Sequence, residues 1–581
     1  MKRTMFALAL GLCLGAVAGE RVKIWPEGKM PHPQPHQIAA MTDEQEKGKE
    51  PYLEWFDPPA KPAGVCMILI SGGAYENCCD VDLIRRWNEL FTAAGCQCVN
   101  FVYRTPRPKG ADIWRSAWED GQRAVRVVRS EAEKRGFKAD RIGTISMSAG
   151  SHLATLLATS SLTPAYDPVD ELDEKVPCNI NWAITGAIAY GVTDGLTGPN
   201  ERNGQAIDAK IAPCFKFDAK TAPMCMFHGG VDLYSPMAST FVYRELRKRG
   251  VPAELHLYAD RDHAFWGWNP GKDGSTGYDN WFGRAKEFMV QMGFLGPVAK
   301  PEVLMERYAK NFHDPAKYEK AELWPKGRTP YFQEDQCVPY LEWYIPTNLT
   351  TKAVQIVYSG GAYWGNDPDG FEVAPFRRYL NEKGMAVVTM KYRTPRPKGL
   401  AKHTTAWADL QRCIRLVRAG AAARGLDPNR IGIMGSSAGG HLTLMGATSS
   451  RSRAYWNVDE VDNLPCNVQW AVGIYPAYGL TDGTDTNNDT GGNDDSARLV
   501  PEFAFDPDTC PMVFIHGDSD GWAAMNSVKA WEQMRRMGVQ SDLHTLAQRW
   551  HCFQREASPG TGSWSWMDRI WEFMNHKQIN K

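Results

Sequence analysis

The feature that most constrains this 581-residue chain is that it says everything twice. YLEW at Tyr52 recurs at Tyr340, SGGAY at Ser71 recurs at Ser359, and YRTPRPKG at Tyr103 recurs unchanged at Tyr392. Trp25-Pro26 answers Trp324-Pro325, and His228-Gly229 answers His516-Gly517. A match this long and nearly gapless means two copies of one folding unit, so any fold proposed for one half must serve both. Length agrees, because 581 residues exceed what a single hydrophobic core encloses.

Inside each copy, short apolar runs alternate with segments of helical spacing. Strands are expected at 65–70, 96–102, 182–188, 224–227 and 254–258, with 354–358 and 386–390 as second-copy counterparts. Helices are expected at 114–132 and 405–422, where Trp118, Val125 and Val128 fall on one face. That alternation predicts a mostly parallel sheet covered by helices on both faces. In such sheets the loops at the carboxyl ends of the strands carry the chemistry.

One of those loops is Arg430 to His441, RIGIMGSSAGGH: a β-branched run at 431–433, a turn of small residues, and a helical segment at 441–447. Strand, sharp turn and helix, with small residues two before and two after a central serine, is the pattern of a nucleophile elbow. Ser437 is the candidate nucleophile. RIGTISMSAGSH places Ser148 in the same frame. A serine hydroxyl needs a general base, and the base needs a carboxylate to fix its tautomer. Each half supplies them in the order serine, acid, histidine: Ser148, Asp232 and His263, then Ser437, Asp520 and His551. Asp232 and Asp520 share one frame and are preferred over Asp518, Asp260 and Asp262. His152, His228, His441 and His516 also repeat and are expected to be structural.

A tetrahedral intermediate needs backbone N–H donors. The candidates are Gly72, Gly73 and Ala74 with Ala149 in the first copy, and Gly360, Gly361 and Ala362 with Ala438 in the second. Tyr75 and Tyr363 are candidate substrate contacts, as are Arg104 and Arg393 for an anionic group. Arginines beside a strand end, Arg107 included, also brace loops by ion pairs. Trp266, Trp268, Trp522 and Trp550 would suit stacking on sugar or phenolic rings.

Lys2 and Arg3, an apolar run from Met5 to Val17 and Ala16-Val17-Ala18 give the layout of a cleaved export signal. The expected organisation is a signal at 1–18, domain one at 19–296, a linker at 297–321 and domain two at 322–581. No transmembrane segment is expected in the mature chain. A net charge of −1 gives no electrostatic reason to expect nucleic acid as a partner. The fourteen cysteines do not read as a disulfide framework, and no Cys/His set has zinc spacing. Oligomeric state is left open.

Together the G-G-A-Y loop, the Tyr-Arg block, the helix WADLQRCIRLVR from Trp407, the DPNRIGIMGSSAGGH run, HGDSD and the late histidine resemble the α/β-hydrolase superfamily. Within it, they resemble exported carbohydrate esterases of the acetyl xylan esterase and feruloyl esterase type. The resemblance implies tandem α/β-hydrolase domains, carboxylic ester hydrolysis without a metal or organic cofactor, and an ester-bearing carbohydrate or small ester as substrate. It departs at Ser71 and Ser359, where the family has His, and at Ser146 and Ser151, where the second copy has Gly435 and Gly440. The first copy is therefore expected to be the slower one. A serine peptidase of the prolyl-oligopeptidase type, and a carbohydrate-binding protein with inactive lobes, are the alternatives.

Overall fold

The computed structural model describes residues 19–33, 50–78, 81–193, 209–263, 280–296, 317–481, 497–556 and 560–580. The expected signal segment, most of the expected linker, and Trp266 and Trp268 lie outside the described residues.

The first repeat contributes β1 (Glu20–Lys23), β2 (Tyr52–Trp55), β3 (Cys66–Ile70), β4 (Gln97–Val102), β5 (Ile142–Met147) and β6 (Trp182–Gly186). A small ribbon follows, β7 (Val192–Thr193) with β8 (Lys210–Ile211), then β9 (Met224–Gly229) and β10 (Ala253–Tyr258). The second repeat runs in the same order: β11 (Lys317–Glu322), β12 (Tyr340–Ile345), β13 (Val354–Tyr358), β14 (Ala386–Lys391), β15 (Ile431–Ser436) and β16 (Trp470–Ile474). Its ribbon is β17 (Leu480–Thr481) with β18 (Arg498–Leu499), followed by β19 (Met512–Gly517) and β20 (Asp542–Leu546).

In each half the strands from β3 to β10, or β13 to β20, that belong to the main sheet pair in parallel, and only the outermost two are antiparallel. The continuous apolar runs follow from burial on both faces. In β3, Cys66, Ile68 and Ile70 enter one core while Met67 and Leu69 enter another. Helices such as Arg115–Ser130 and Thr404–Ala421 make the crossovers that parallel neighbours require. This is the tandem α/β-hydrolase architecture.

One boundary needs correction. Residues 317–321, expected in the linker, belong to β11, which pairs antiparallel with β12 from Lys317↔Ile345 to Glu322↔Tyr340. Its sequence, KYEKAE, carries charge because it is an outer edge strand, and charged edges resist pairing with other chains. Such a strand has no apolar alternation to betray it.

The two repeats do not merely sit side by side. β10 pairs antiparallel with β20, so all sixteen main strands form one sheet. His256 lies opposite His544, its own counterpart in the repeat, which puts a pseudo-twofold axis through that pair. Around the axis the contacts come in matched sets. The Ala259 amide donates to Asp542 (2.8 Å), and the Ala547 amide donates to Glu254 (3.1 Å). Arg247 and Arg535 reach the backbone of Asp518 and Gly230. Two edge strands that would otherwise expose unpaired backbone thus satisfy each other.

The ring nitrogens Nδ1 of His256 and His544 approach to 3.0 Å in this dry seam. Burial, reinforced for His256 by Arg569 and Arg284 and for His544 by His256 and Arg569, holds both well below the ordinary histidine range. Below about pH 6.5 the unfolded chain therefore takes up two protons that the folded seam refuses, and stability falls as pH drops. Glu254 and Glu572 oppose this, since burial pushes both carboxyls up to about 7 and the folded junction takes up protons there that the unfolded chain takes up only at lower pH. Removing the histidines leaves those carboxyls unopposed, so His256→Gln with His544→Gln should shift the urea midpoint at pH 5, relative to pH 7, upward compared with the wild-type chain. An unchanged pH dependence in that double variant would place the acid sensitivity elsewhere.

Among the described residues the cysteines form no disulfide, and no helix is long and apolar enough to cross a membrane.

Candidate active site

Both elbows have the strain that their sequences imply. Ser148 has φ 57° and ψ −123°, and Ser437 has φ 56° and ψ −120°, each immediately before a helix, Ala149–Thr159 or Ala438–Thr448. Those helices start at the residue after the serine, three earlier than the apolar spacing suggests for the second copy. Small neighbours are obligatory. A Cβ on Gly150 would lie 2.5 Å from the Ser71 carbonyl oxygen, and one on Gly439 would lie 2.6 Å from that of Ser359. Ser146 and Ser151 fit in the first elbow because their hydroxyls find acceptors, the carbonyls of Ile184 (3.2 Å) and Gly186 (2.8 Å).

Loops after β9 and β10, and after β19 and β20, bring the other groups to each serine. His263 Nε2 is 2.9 Å from Ser148 Oγ, and its Nδ1 is 2.8 Å from Asp232 Oδ2. His551 Nε2 is 2.8 Å from Ser437 Oγ, and its Nδ1 is 2.8 Å from Asp520 Oδ2. Burial alone would raise both carboxyls. Hydrogen bonds from His228 and His263 outweigh it and bring Asp232 down to about 2, and His516 and His551 depress Asp520 likewise. Both acids are thus ionised wherever the protein is folded at neutral pH. The amides of Tyr234 and Trp522 each donate to the acid two residues earlier at 2.8 Å, which fixes the carboxylate plane. By distance the two triads are equivalent, and nothing in them marks the first copy as impaired.

The loop after the first parallel strand runs through left-handed backbone. Gly73, Ala74 and Tyr75 have φ of 122°, 56° and 61°, and Gly361, Ala362 and Tyr363 have 94°, 54° and 61°. Successive residues of this kind turn their N–H groups into one concavity, an arrangement suited to an oxyanion. Gly360 must be removed from the donor candidates, because its amide donates to the buried carboxylate of Glu372 (2.8 Å). Among the described residues the amides of Gly361, Ala362 and Ala438 meet no acceptor and remain available beside Ser437, as do those of Gly73, Ala74 and Ala149 beside Ser148.

The family model that matches this chain is BD-FAE, over residues 56–203 and 341–533, more than half of the chain and a segment of each repeat. The chain belongs to the BD-FAE family. It is similar to the acetylxylan esterase of Xylanibacter ruminicola, 32% identical over 108 residues, which are 18% of this chain and 21% of that protein. It is also similar to endo-1,4-beta-xylanase B of Butyrivibrio fibrisolvens, 24% identical over 222 residues, 36% of this chain and 34% of that protein. The chain thus spans about a third or less of the length of these curated relatives. Among solved structures, an acetyl ester-xyloside bifunctional hydrolase from Caldicellulosiruptor lactoaceticus aligns at 21% identity and TM-score 0.37. That match covers 48% of this chain and 98% of the other. The butyrate-bound esterase Est2 of Thermogutta terrifontis aligns at 22% identity and TM-score 0.35, over 43% and 91%.

In this BD-FAE chain four expected substrate contacts are instead internal supports. Tyr75 and Tyr363 are each 1% exposed and spend their hydroxyls on Nδ1 of His152 (2.8 Å) and His441 (2.9 Å). Arg104 is buried against Asp120 and Glu119, and Arg393 against Asp409, so neither guanidinium faces a ligand. A tyrosine or arginine beside a catalytic loop has the same sequence signature whether it faces the ligand or the scaffold.

The arginines that do reach the donor loop are the next ones along. Arg107 Nε donates to the Ala74 carbonyl (2.8 Å) and Arg396 Nε to that of Ala362 (2.9 Å), with second bonds to the hydroxyls of Tyr190 and Tyr478. They hold a strained loop in place. Arg107→Ala combined with Arg396→Ala should therefore lower kcat by about 10- to 100-fold on an ester substrate, less than deleting a donor outright, with KM changed little. A variant that moved KM alone would mean that these arginines contact substrate.

Sequence reasoning missed Glu372. Its second oxygen takes the Tyr475 hydroxyl at 2.9 Å. The single available signal, a lone acid after a Gly-rich loop, is too common to read.

Proposed function

We propose that this chain is an exported serine hydrolase with two catalytic lobes, each cleaving carboxylic esters through an acyl-enzyme. We further propose that its substrates are acetyl or feruloyl substituents of polysaccharides. The observation that carries the reading is the pair of unbroken Ser–His–Asp hydrogen-bond chains, 2.8–2.9 Å at each link in both lobes. In each, His Nε2 accepts the serine proton as Oγ attacks the ester carbonyl, and the aspartate steadies the imidazolium. The histidine then protonates the departing alcohol oxygen, and a water activated by the same nitrogen releases the acid. The amides of Ala149 and Ala438, with those of the Gly-Gly-Ala loops, are the donors for the transient oxyanion.

The cleft at Ser437, about 490 Å³ and open to solvent, has room for an acyl group with the sugar that bears it. Trp522 and Phe371 line it and suit stacking on a sugar or phenolic ring. Relatives named for acetylxylan and xylan support a xylan-type polymer, and the charged and apolar start of the sequence supports export. Incubation of the full chain with a fluorophosphonate, followed by peptide mass mapping, should find adducts on Ser148 and Ser437. Absence of any adduct would end the reading, and faster turnover of dipeptidyl than of acetyl substrates would replace it with a peptidase.

A further inference from the structure

We propose that the second lobe binds one divalent transition-metal ion, of the kind zinc exemplifies, between His403, His441 and Glu502, and that the first lobe has no such site. The three side chains come from the start of the helix Thr404–Ala421, the helix that follows Ser437, and the loop after β18. They meet with one ligand atom each, all within 4.8 Å of one another.

The spacing is poor for hydrogen bonds and good for ligands. Glu502 Oε1 is 3.3 Å from His441 Nε2 and 3.6 Å from His403 Nδ1. A charge-assisted N–H···O bond is about 2.7–2.9 Å, so neither pair is a good one. His403 Nδ1 is buried without a hydrogen-bond partner, an unpaid cost for a polar atom. Around an ion with bonds of about 2.0–2.1 Å, tetrahedral ligand atoms stand about 3.3–3.4 Å apart, close to the two separations from Glu502.

The remaining features are those of a metal site. The far nitrogen of His441, Nδ1, is 2.9 Å from the Tyr363 hydroxyl, which fixes the ring with Nε2 turned toward Glu502. His441 is enclosed, but the side chains of Glu502 and His403 are 20% and 15% exposed, which opens the set to solvent on one side. Lys402, with its ammonium 4.2 Å from the centre of the Tyr478 ring, is the nearby cation that limits affinity.

The first lobe is a built-in control. The counterparts of His403 and Glu502 in the repeat are Trp114 and Cys214, and only the counterpart of His441, His152, keeps its type. There His152 Nε2 faces Cys214 Sγ at 3.5 Å, and Trp114 packs over the ring at 6.4 Å between centroids. The phenylalanine beneath is common to both, Phe215 and Phe503, each 5.1 Å from its histidine. Two of three donors thus changed on an otherwise equal scaffold. Because His441 holds Tyr363 and Tyr363 belongs to the donor loop, an ion here would stiffen that loop in one lobe only.

The test uses the untagged full chain, stripped with a chelator and desalted, then titrated with Zn²⁺ by calorimetry and assayed for retained zinc by mass spectrometry. One zinc per chain is expected, with a higher melting temperature. His403→Trp, the residue the first lobe uses, and Glu502→Gln should each weaken binding by about 100-fold or more and abolish the thermal shift while circular dichroism stays unchanged. No zinc bound by the wild-type chain would overturn the proposal. So would full stoichiometry in His403→Trp, which would point to the buried Cys225, Glu254 and His256 instead.

Discussion

Replacing both Ser148 and Ser437 with alanine should lower kcat/KM on 4-nitrophenyl acetate by about 10⁵-fold or more, whereas either replacement alone should leave the rate of the other lobe. On the proposed reading each triad, drawn wholly from its own repeat, contributes a rate of its own, so one intact site masks the loss of the other. Within a triad the effects do not add, because an imidazole without its serine has nothing to activate. Losing the second serine therefore removes the last nucleophile. Retention of more than a few per cent of activity in the double variant would mean that neither serine is the nucleophile. Near-complete loss on Ser437→Ala alone would mean that the first lobe, despite equal distances, does not turn over this ester.

Arg284→Met should cost about 3–5 kcal/mol of stability, read as a lower urea midpoint. Arg284 Nη2 donates to Glu572 Oε2 at 2.5 Å across the lobe junction, while Arg569 pairs with Glu287 at 2.7 Å beside it. Both partners of the Arg284 pair are nearly sealed, with 3% and 5% side-chain exposure, so removing the guanidinium leaves a carboxyl that water cannot reach. The exposed pair Lys175–Glu171 offers the contrast, since an open pair is worth at most about 1 kcal/mol. Arg284→Met with Glu572→Leu should recover most of the loss, because a buried pair replaced by apolar groups costs little. If the double variant is no better than the single, packing rather than the stranded charge explains the effect.

Much of the fold was legible in the sequence. The repeat forced two like domains, and the unbroken apolar runs implied strands buried on both faces, as β3 and β13 are. Elbow and triad order could be read because each rests on residues close in sequence or on a fixed order of loops. The edge strand Lys317–Glu322 could not, since it carries charge where an inner strand carries valine. Nor could the partners of Arg104, Arg393, Tyr75 and Tyr363. Each has a side chain long enough to face either way, and the choice rests on acceptors such as Asp120 and Asp409 one helix away.

What the sequence determined by itself was therefore the periodic and the steric: two copies, parallel strands between helices, a serine forced into left-handed backbone between residues too small to obstruct it. What only the tertiary structure decided was which donor meets which acceptor between residues that no periodicity links. The Gly360 amide goes to Glu372, β10 closes on β20 through His256 and His544, and two histidines and a glutamate converge in one lobe but not in its twin. The physical reason is range. Periodicity and backbone strain act over a few neighbouring residues and leave a local trace, whereas hydrogen bonds and ligand sets act over 3 Å of space and leave none.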